Sequence, residues 1–162
     1  MKTDDRGRSV RRVEDFRFLT GGGRYVDDFG LPGQVYAHVL RSPHAHAAIE
    51  RIDTGAAWGS GVLGVFTEGD LRADGIGPLP CIAQVSTVDP MIVPPRFGLA
   101  RGRVRHVGDP VALVVAETRD LARDAAERIA VEYRPLDAVA AAAAALSPGA
   151  PAIWDEAPGN LS

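Results

Sequence analysis

Pro110-Val-Ala-Leu-Val-Val-Ala-Glu-Thr-Arg-Asp-Leu-Ala-Arg-Asp-Ala-Ala-Glu-Arg-Ile-Ala-Val-Glu-Tyr-Arg-Pro135 decides the fold. Its first part, 111–116, is an unbroken apolar run of strand length, the pattern of a central strand covered on both faces. Thr118 then places a hydroxyl where a helix can begin, and Asp120 in the first turn complements the helix dipole. Leu121, Ala122, Ala125, Ala126 and Ile129 recur at helical spacing and make one apolar stripe. On the outer side Asp120 precedes Arg123 by three residues and Asp124 precedes Arg128 by four, pairs worth a few tenths of a kcal/mol each. Val131-Glu-Tyr133 restarts extended structure, and Pro135, with no N–H to donate, stops it. A strand–helix–strand unit follows.

Working outward, residues 34–41 alternate as a strand, with Val35, Ala37 and Val39 on one face and Tyr36, His38 and Leu40 on the other; Ser42-Pro43 ends it. Residues 44–49 read as a second short extended piece, and Asp53-Thr54 as a cap for a turn through Trp58. Residues 62–67 form another strand and 68–71 one helical turn. From 72 to 100 no period holds, and prolines at 78, 80, 90, 94 and 95 punctuate the chain. A connection this long inside a compact domain is usually functional or docked on a partner. Arg103–Val107 returns to extended structure before the turn at Gly108-Asp109-Pro110. Six alanines from 140 to 145 favour a short helix. The last stretch reads as a connector in which Ile153 and Trp154 are apolar anchors. At the other end, residues 1–18 mix charges of both signs and read as an arm. Gly21-Gly22-Gly23 reads as a turn, with a phosphate cradle as the alternative it leaves open.

Composition narrows the classes. The chain has 162 residues, 46% hydrophobic and 24% charged, which fits one globular domain with tails. Eighteen glycines and 12 prolines exceed the usual share and call for many tight turns. A net charge of −3 argues against nucleic acid as a partner. No apolar run approaches a membrane-spanning length and no signal-like segment opens the chain, so no membrane insertion and a cytoplasmic location are expected. A single cysteine, Cys81, excludes an internal disulfide and a cysteine-ligated cluster built within this chain.

The individual motifs carry little chemistry. Gly59-Ser-Gly-Val-Leu-Gly64 matches the dinucleotide fingerprint by letters, but a strand follows it where that fingerprint needs a helix. His44 and His46 share a face if extended, yet a metal site needs a third ligand, and His38 and His106 qualify only if the fold brings them close. Cys81 between Pro80 and Ile82 reads as a small hydrophobe rather than a nucleophile. Asp4-Asp5 and Asp27-Asp28 read as solvated. No catalytic, cofactor-binding or metal-ligating residue is expected.

Several stretches together resemble one family. These are 12–21 (RVEDFRFLTG), 23–28 (GRYVDD), 31–33 (LPG), 41–47 (RSPHAHA), 104–111 (VRHVGDPV), 114–118 (VVAET) and 131–133 (VEY). Their order is similar to the N-terminal region of the large, molybdenum-binding subunit of the xanthine dehydrogenase and aldehyde oxidase family, with carbon monoxide dehydrogenase-type subunits nearest in texture. The resemblance implies the α/β hammerhead, an α/β (α+β) fold expected here as a mixed sheet with one strand–helix–strand unit and a long Pro-rich loop. It implies an arm at 1–18, the hammerhead at 19–146 and a connector at 147–162. It also implies hydroxylation of an aldehyde or N-heterocycle with oxygen from water. The molybdopterin–molybdenum centre, the iron–sulfur clusters and FAD or another acceptor then belong to the remaining molybdopterin-binding domains and to iron–sulfur and flavin subunits. Residues Pro78, Leu79 and Pro80 are expected at a substrate funnel, and Arg41, His44, Ile153 and Trp154 at inter-domain docking surfaces. The alternative is a stand-alone binding or assembly module that keeps the fold without catalysis.

Overall fold

The computed structural model describes residues 12–82 and 91–161. Residues 1–11 of the expected arm and 83–90 of the Pro-rich loop lie outside the described residues. The chain divides into two units, residues 1–34 and residues 35–162.

In the first unit, helix α1 (Asp15–Leu19) ends in a two-bond glycine stop: Gly21 N–H donates to the Phe18 carbonyl at 3.2 Å and Gly22 N–H to the Arg17 carbonyl at 2.8 Å. Gly21 sits at φ 74°, the left-handed value this motif requires. The triple glycine is therefore a helix stop. Gly23 lets the chain pass the ring of Phe18, which stacks on Tyr25 at 6.0 Å between centroids; a Cβ there would stand 2.8 Å from Phe18 Cδ1. None of the described residues of this unit is buried.

The second unit holds the core. Its strands are β1 (Tyr36–Arg41), β2 (Ala47–Asp53), β3 (Val62–Thr67), β4 (Arg103–Val104), β5 (Pro110–Ala116) and β6 (Ala130–Pro135). They form two three-stranded sheets, β1-β5-β3 and β4-β2-β6, and every pairing is antiparallel. The strand–helix–strand unit is present, but β5 and β6 stand in different sheets, so two antiparallel sheets replace the expected mixed sheet. The reason is register: β6 pairs along β2, from Ala47 opposite Pro135 to Asp53 opposite Ala130, rather than beside β5.

β5 is the middle strand of its sheet, as an apolar run without alternation implies, and Val111, Ala112, Val114 and Ala116 are fully buried. Helix α2 (Glu68–Ala73) follows β3 directly, with Asp70 Oδ2 accepting from the Thr67 N–H at 2.7 Å and from its hydroxyl at 2.8 Å. These bonds hold the Asp70 carboxyl below its usual range, the backbone bond contributing most. Helix α3 (Arg119–Glu127) starts where Thr118 Oγ1 accepts the Leu121 N–H at 3.2 Å. Ala122, Ala125 and Ala126 are fully buried, and their small side chains let α3 lie close to its sheet. Arg123 reaches both Asp120 (3.5 Å) and Asp124 (3.8 Å), in place of the expected Asp124–Arg128 pair.

Two core clusters result. One gathers Ala57, Val65, Ala112, Val114, Ala125, Ala126 and Ile129 between α3 and its sheet. The other gathers Ala47, Ala100, Val104 and Val111. Ile52 and Val131 pack against both and join them.

Three further boundaries differ from the sequence reading. The extended piece expected at 44–49 is β2, running to Asp53, where Asp53 Oδ1 accepts from the Gly55 N–H at 2.9 Å. The expected strand 103–107 shortens to two residues, because Arg105 N–H turns to Asp109 Oδ2 at 2.8 Å. The alanine helix shrinks to α4 (Ala142–Ala145), none of whose residues is buried: propensity alone does not hold a short helix without a face to pack.

Candidate functional site

The site is built from Arg101-Gly-Arg-Val-Arg105. Only Arg103–Val104 is strand: Val104 is fully buried while Arg103 and Arg105 line the cleft beside it. Arg101 reaches the same cleft through the turn at Gly102 (φ 66°), where the Arg103 N–H donates to the Arg101 carbonyl at 2.8 Å. Each arginine is fixed by a different partner. Arg101 lies 3.6 Å over the Phe97 ring and pairs through Nε with Glu68. Arg103 pairs with Asp155 at 3.0 Å. Arg105 lies 3.7 Å over the Trp154 ring, and its Nε donates to the Ile153 carbonyl at 3.1 Å. Burial above all, and then the neighbouring Arg103 charge, pull the Arg105 pKa down, while Asp109, Glu156 and Asp155 oppose them. Its ordinary value is so high that the group stays charged.

These arginines line a cleft of about 370 Å³, joined by Arg96, His106, Asp109 and the apolar walls of Leu79, Phe97, Pro110, Ile153 and Trp154. Within the Pro-rich loop the Leu79 N–H donates to the Arg96 carbonyl at 2.6 Å, and at the loop's end the Ala100 N–H donates to the Pro110 carbonyl at 2.7 Å. The tail is held by Asn160, whose side chain accepts from the Ile153 N–H at 2.9 Å and donates to the Pro151 and Ala145 carbonyls, each at 3.0 Å. A second, wider hollow of about 610 Å³ adjoins it through Leu79 and Arg96, lined by Pro80, Cys81, Ile82, Met91, Ile92, Val93 and Pro94. Ile82 is 94% exposed and Leu79 61%, so this hollow presents bare apolar surface.

The residues expected from sequence therefore divide. Leu79 lines both cavities, Pro80 lines the hollow, and Pro78 is exposed beside them. Ile153 and Trp154 line the cleft and are half-buried, so the expected anchors meet Arg105 of their own chain. Arg41 and His44 do not line it: Arg41 donates to the Gly108 carbonyl at 2.9 Å, and His44 packs at 4.8 Å, tilted, on Tyr133. Burial raises the Tyr133 phenol above its ordinary value, against a hydrogen bond with Ser42 that lowers it. His46 is buried, and its Nδ1 donates to the Asp137 carbonyl at 2.7 Å. Cys81 is exposed. Among the described residues no group of three or more His, Cys, Asp or Glu could hold a metal, so these donors do not fit a metal centre. The arginine row was missed from sequence. Its signal was local, in the run R-G-R-V-R with Phe97 just before it, but Glu68, Ile153, Trp154 and Asp155, which complete the cleft and its ion pairs, come from distant segments.

Residues 20–137 match the family described as "Aldehyde oxidase and xanthine dehydrogenase, a/b hammerhead domain". The chain belongs to that family. This hammerhead domain is 38% identical over 157 residues to the carbon monoxide dehydrogenase large chain of Afipia carboxidovorans, covering 96% of this chain and 18% of that one. It is equally 38% identical over 156 residues to the nicotine 6-hydroxylase large subunit of Paenarthrobacter nicotinovorans, again 96% of this chain and 18% of the relative. The crystal structure of quinoline 2-oxidoreductase from Pseudomonas putida superposes with a TM-score of 0.74 at 41% identity, covering 90% of this chain and 18% of that one. The chain thus spans under a fifth of the length of the curated relatives it matches. Among its described residues no helix is long and apolar enough to cross a membrane.

Proposed function

We propose that this chain is the hammerhead part of the large subunit of a cytoplasmic molybdenum hydroxylase that oxidises an aldehyde or N-heterocycle with oxygen from water. Two relatives named for nicotine and quinoline favour the N-heterocycle class. Molybdopterin–molybdenum, iron–sulfur clusters and a flavin then sit in the other domains and subunits, and no reaction step is assigned to this chain's residues. Its work is to pack against those parts and to line the approach to them, with residues 147–162 as the link onward. The exposed apolar hollow around Leu79 and Pro80 carries the reading: Leu79 and Ile82 stand open to water there side by side with Pro80 and Pro94, an arrangement that suits cover by a partner domain or contact with an apolar substrate.

The test uses the complex isolated through this chain, with quinoline and benzaldehyde turned over in oxygen-18 water. The proposal expects the label in the hydroxylated product, and Leu79→Ala is expected to change the ratio of kcat/KM between the two substrates. Product oxygen derived from dioxygen contradicts the reaction class. An unchanged ratio in the Leu79 variant removes the funnel role.

A further inference from the structure

We propose that the arginine cleft is a binding site for a carboxylate carried beside an apolar group. The inference rests on the cleft's own chemistry and holds independently of the molybdenum reading. Four arginines, Arg96, Arg101, Arg103 and Arg105, line one cavity. Glu68 neutralises Arg101 and Asp155 neutralises Arg103. Arg96 and Arg105 have no carboxylate within ion-pairing distance among the described residues, and Asp109, Glu156 and Asp155 act on Arg105 only from farther off. Arg105 is also repelled by the neighbouring Arg103 charge, so the site gains when an anion enters.

The geometry also selects the kind of anion. Stacking on Trp154, donation from Nε to the Ile153 carbonyl and donation from Nη1 to the Arg103 carbonyl at 3.3 Å fix the plane of the Arg105 guanidinium, leaving the Nη2 edge preorganised for an oxyanion. Leu79, Phe97, Ile153 and Trp154 supply apolar walls next to that edge. At about 370 Å³ the cleft lies within the range of small-molecule sites. A bare inorganic ion leaves the walls unused, and a neutral aromatic leaves the charges unpaired. A carboxylate attached to an aromatic or branched apolar group satisfies both. Such a group comes from a small organic acid or from an acidic side chain next to an apolar one in a partner polypeptide.

Trp154 lines the cleft and reports occupancy by fluorescence, with Trp154→Phe removing the signal and leaving that of Trp58. The 162-residue chain is titrated with benzoate, with benzyl alcohol as the neutral isostere, and with N-acetyl-Glu-Phe-amide as the polypeptide source. The expected result is saturable binding of a carboxylate with a dissociation constant on the order of 1 mM. The alcohol and the Arg96→Gln variant are each expected to bind about tenfold more weakly. Arg96 is exposed and has no ion-pair partner among the described residues, so the variant should keep its Tm. Arg105→Lys keeps the charge but loses the fork, and is expected to weaken benzoate more than added salt does. Tighter binding of the peptide assigns the site to a partner chain, and tighter binding of benzoate assigns it to a small acid. Equal binding of benzoate and benzyl alcohol overturns the proposal, as does unchanged affinity in a folded Arg96→Gln variant or no saturation by either carboxylate up to about 50 mM.

Discussion

Replacing Val104 with alanine tests the packing on which the cleft depends. Val104 is fully buried among Ala47, Ala100 and Val111, directly behind the arginine row. The change removes two carbons, each worth about 0.8 kcal/mol of transfer free energy, or about 1.6 kcal/mol together. If the neighbours stay in place, the space left, roughly 50 Å³, adds about 1.2 kcal/mol at about 24 cal/mol per Å³. Ala47, Ala100 and the backbones of β2 and β5 have little side chain with which to fill it, so a total of about 2–3 kcal/mol is expected. For a chain of this size that lowers Tm by roughly 5–10 °C. Val107→Ala is the matched control: the same atoms leave a side chain that is 68% exposed, and a shift within about 2 °C is expected. Thermal unfolding followed by circular dichroism and calorimetry at pH near neutral compares the two. Equal shifts for both variants would refute the placement of Val104 in the core.

Two further substitutions probe what positions the elements. Gly61 sits at φ 79°, and a Cβ there would stand 2.7 Å from Leu121 Cδ1, so Gly61→Ala is expected to cost about 1–3 kcal/mol, read as a lower urea midpoint. Asp70→Ala removes the acceptor for the Thr67 N–H and hydroxyl and is expected to cost about 0.5–1 kcal/mol at neutral pH. Because the folded carboxyl titrates below its usual 3.8, the stability this charge gives is present above that value and is lost as pH falls through the lower, folded one. The gap in urea midpoint between the two proteins should therefore narrow on going from about pH 7 to about pH 2.5; a constant gap means Asp70 acts through packing instead.

Local chemistry was legible and long-range pairing was not. Thr118 announces α3 and accepts the expected bond from Leu121, and the apolar run 111–116 becomes the middle strand of its sheet. β3 begins and ends where the sequence puts it, because Gly61 turns the chain before it and Thr67 with Asp70 starts a helix after it. Sequence does not show that β6 leaves β5 for β2, since either register buries Val131 and Tyr133 to a similar depth in a short strand. The alanine run misled in the opposite sense: its propensity is high, but no apolar face anchors it, and only Ala142–Ala145 coil. The cleft was half visible. Ile153 and Trp154 stood out as apolar anchors without evident partners and Leu79 as a residue the resemblance puts at a funnel, while the arginines that join them looked like ordinary surface charge. Family resemblance made the hammerhead recognisable but carried no information on that charge, which depends on Glu68, Trp154 and Asp155 arriving from distant segments.

The most direct test of the functional account is affinity isolation of this chain from its native cell under mild conditions, with molybdenum and iron quantified per copy of the chain. Molybdenum near one per copy, with iron in excess and both held through gel filtration, is the predicted result. A chain that elutes alone and free of both metals, from cells growing on a compound whose oxidation it is meant to support, would contradict the account.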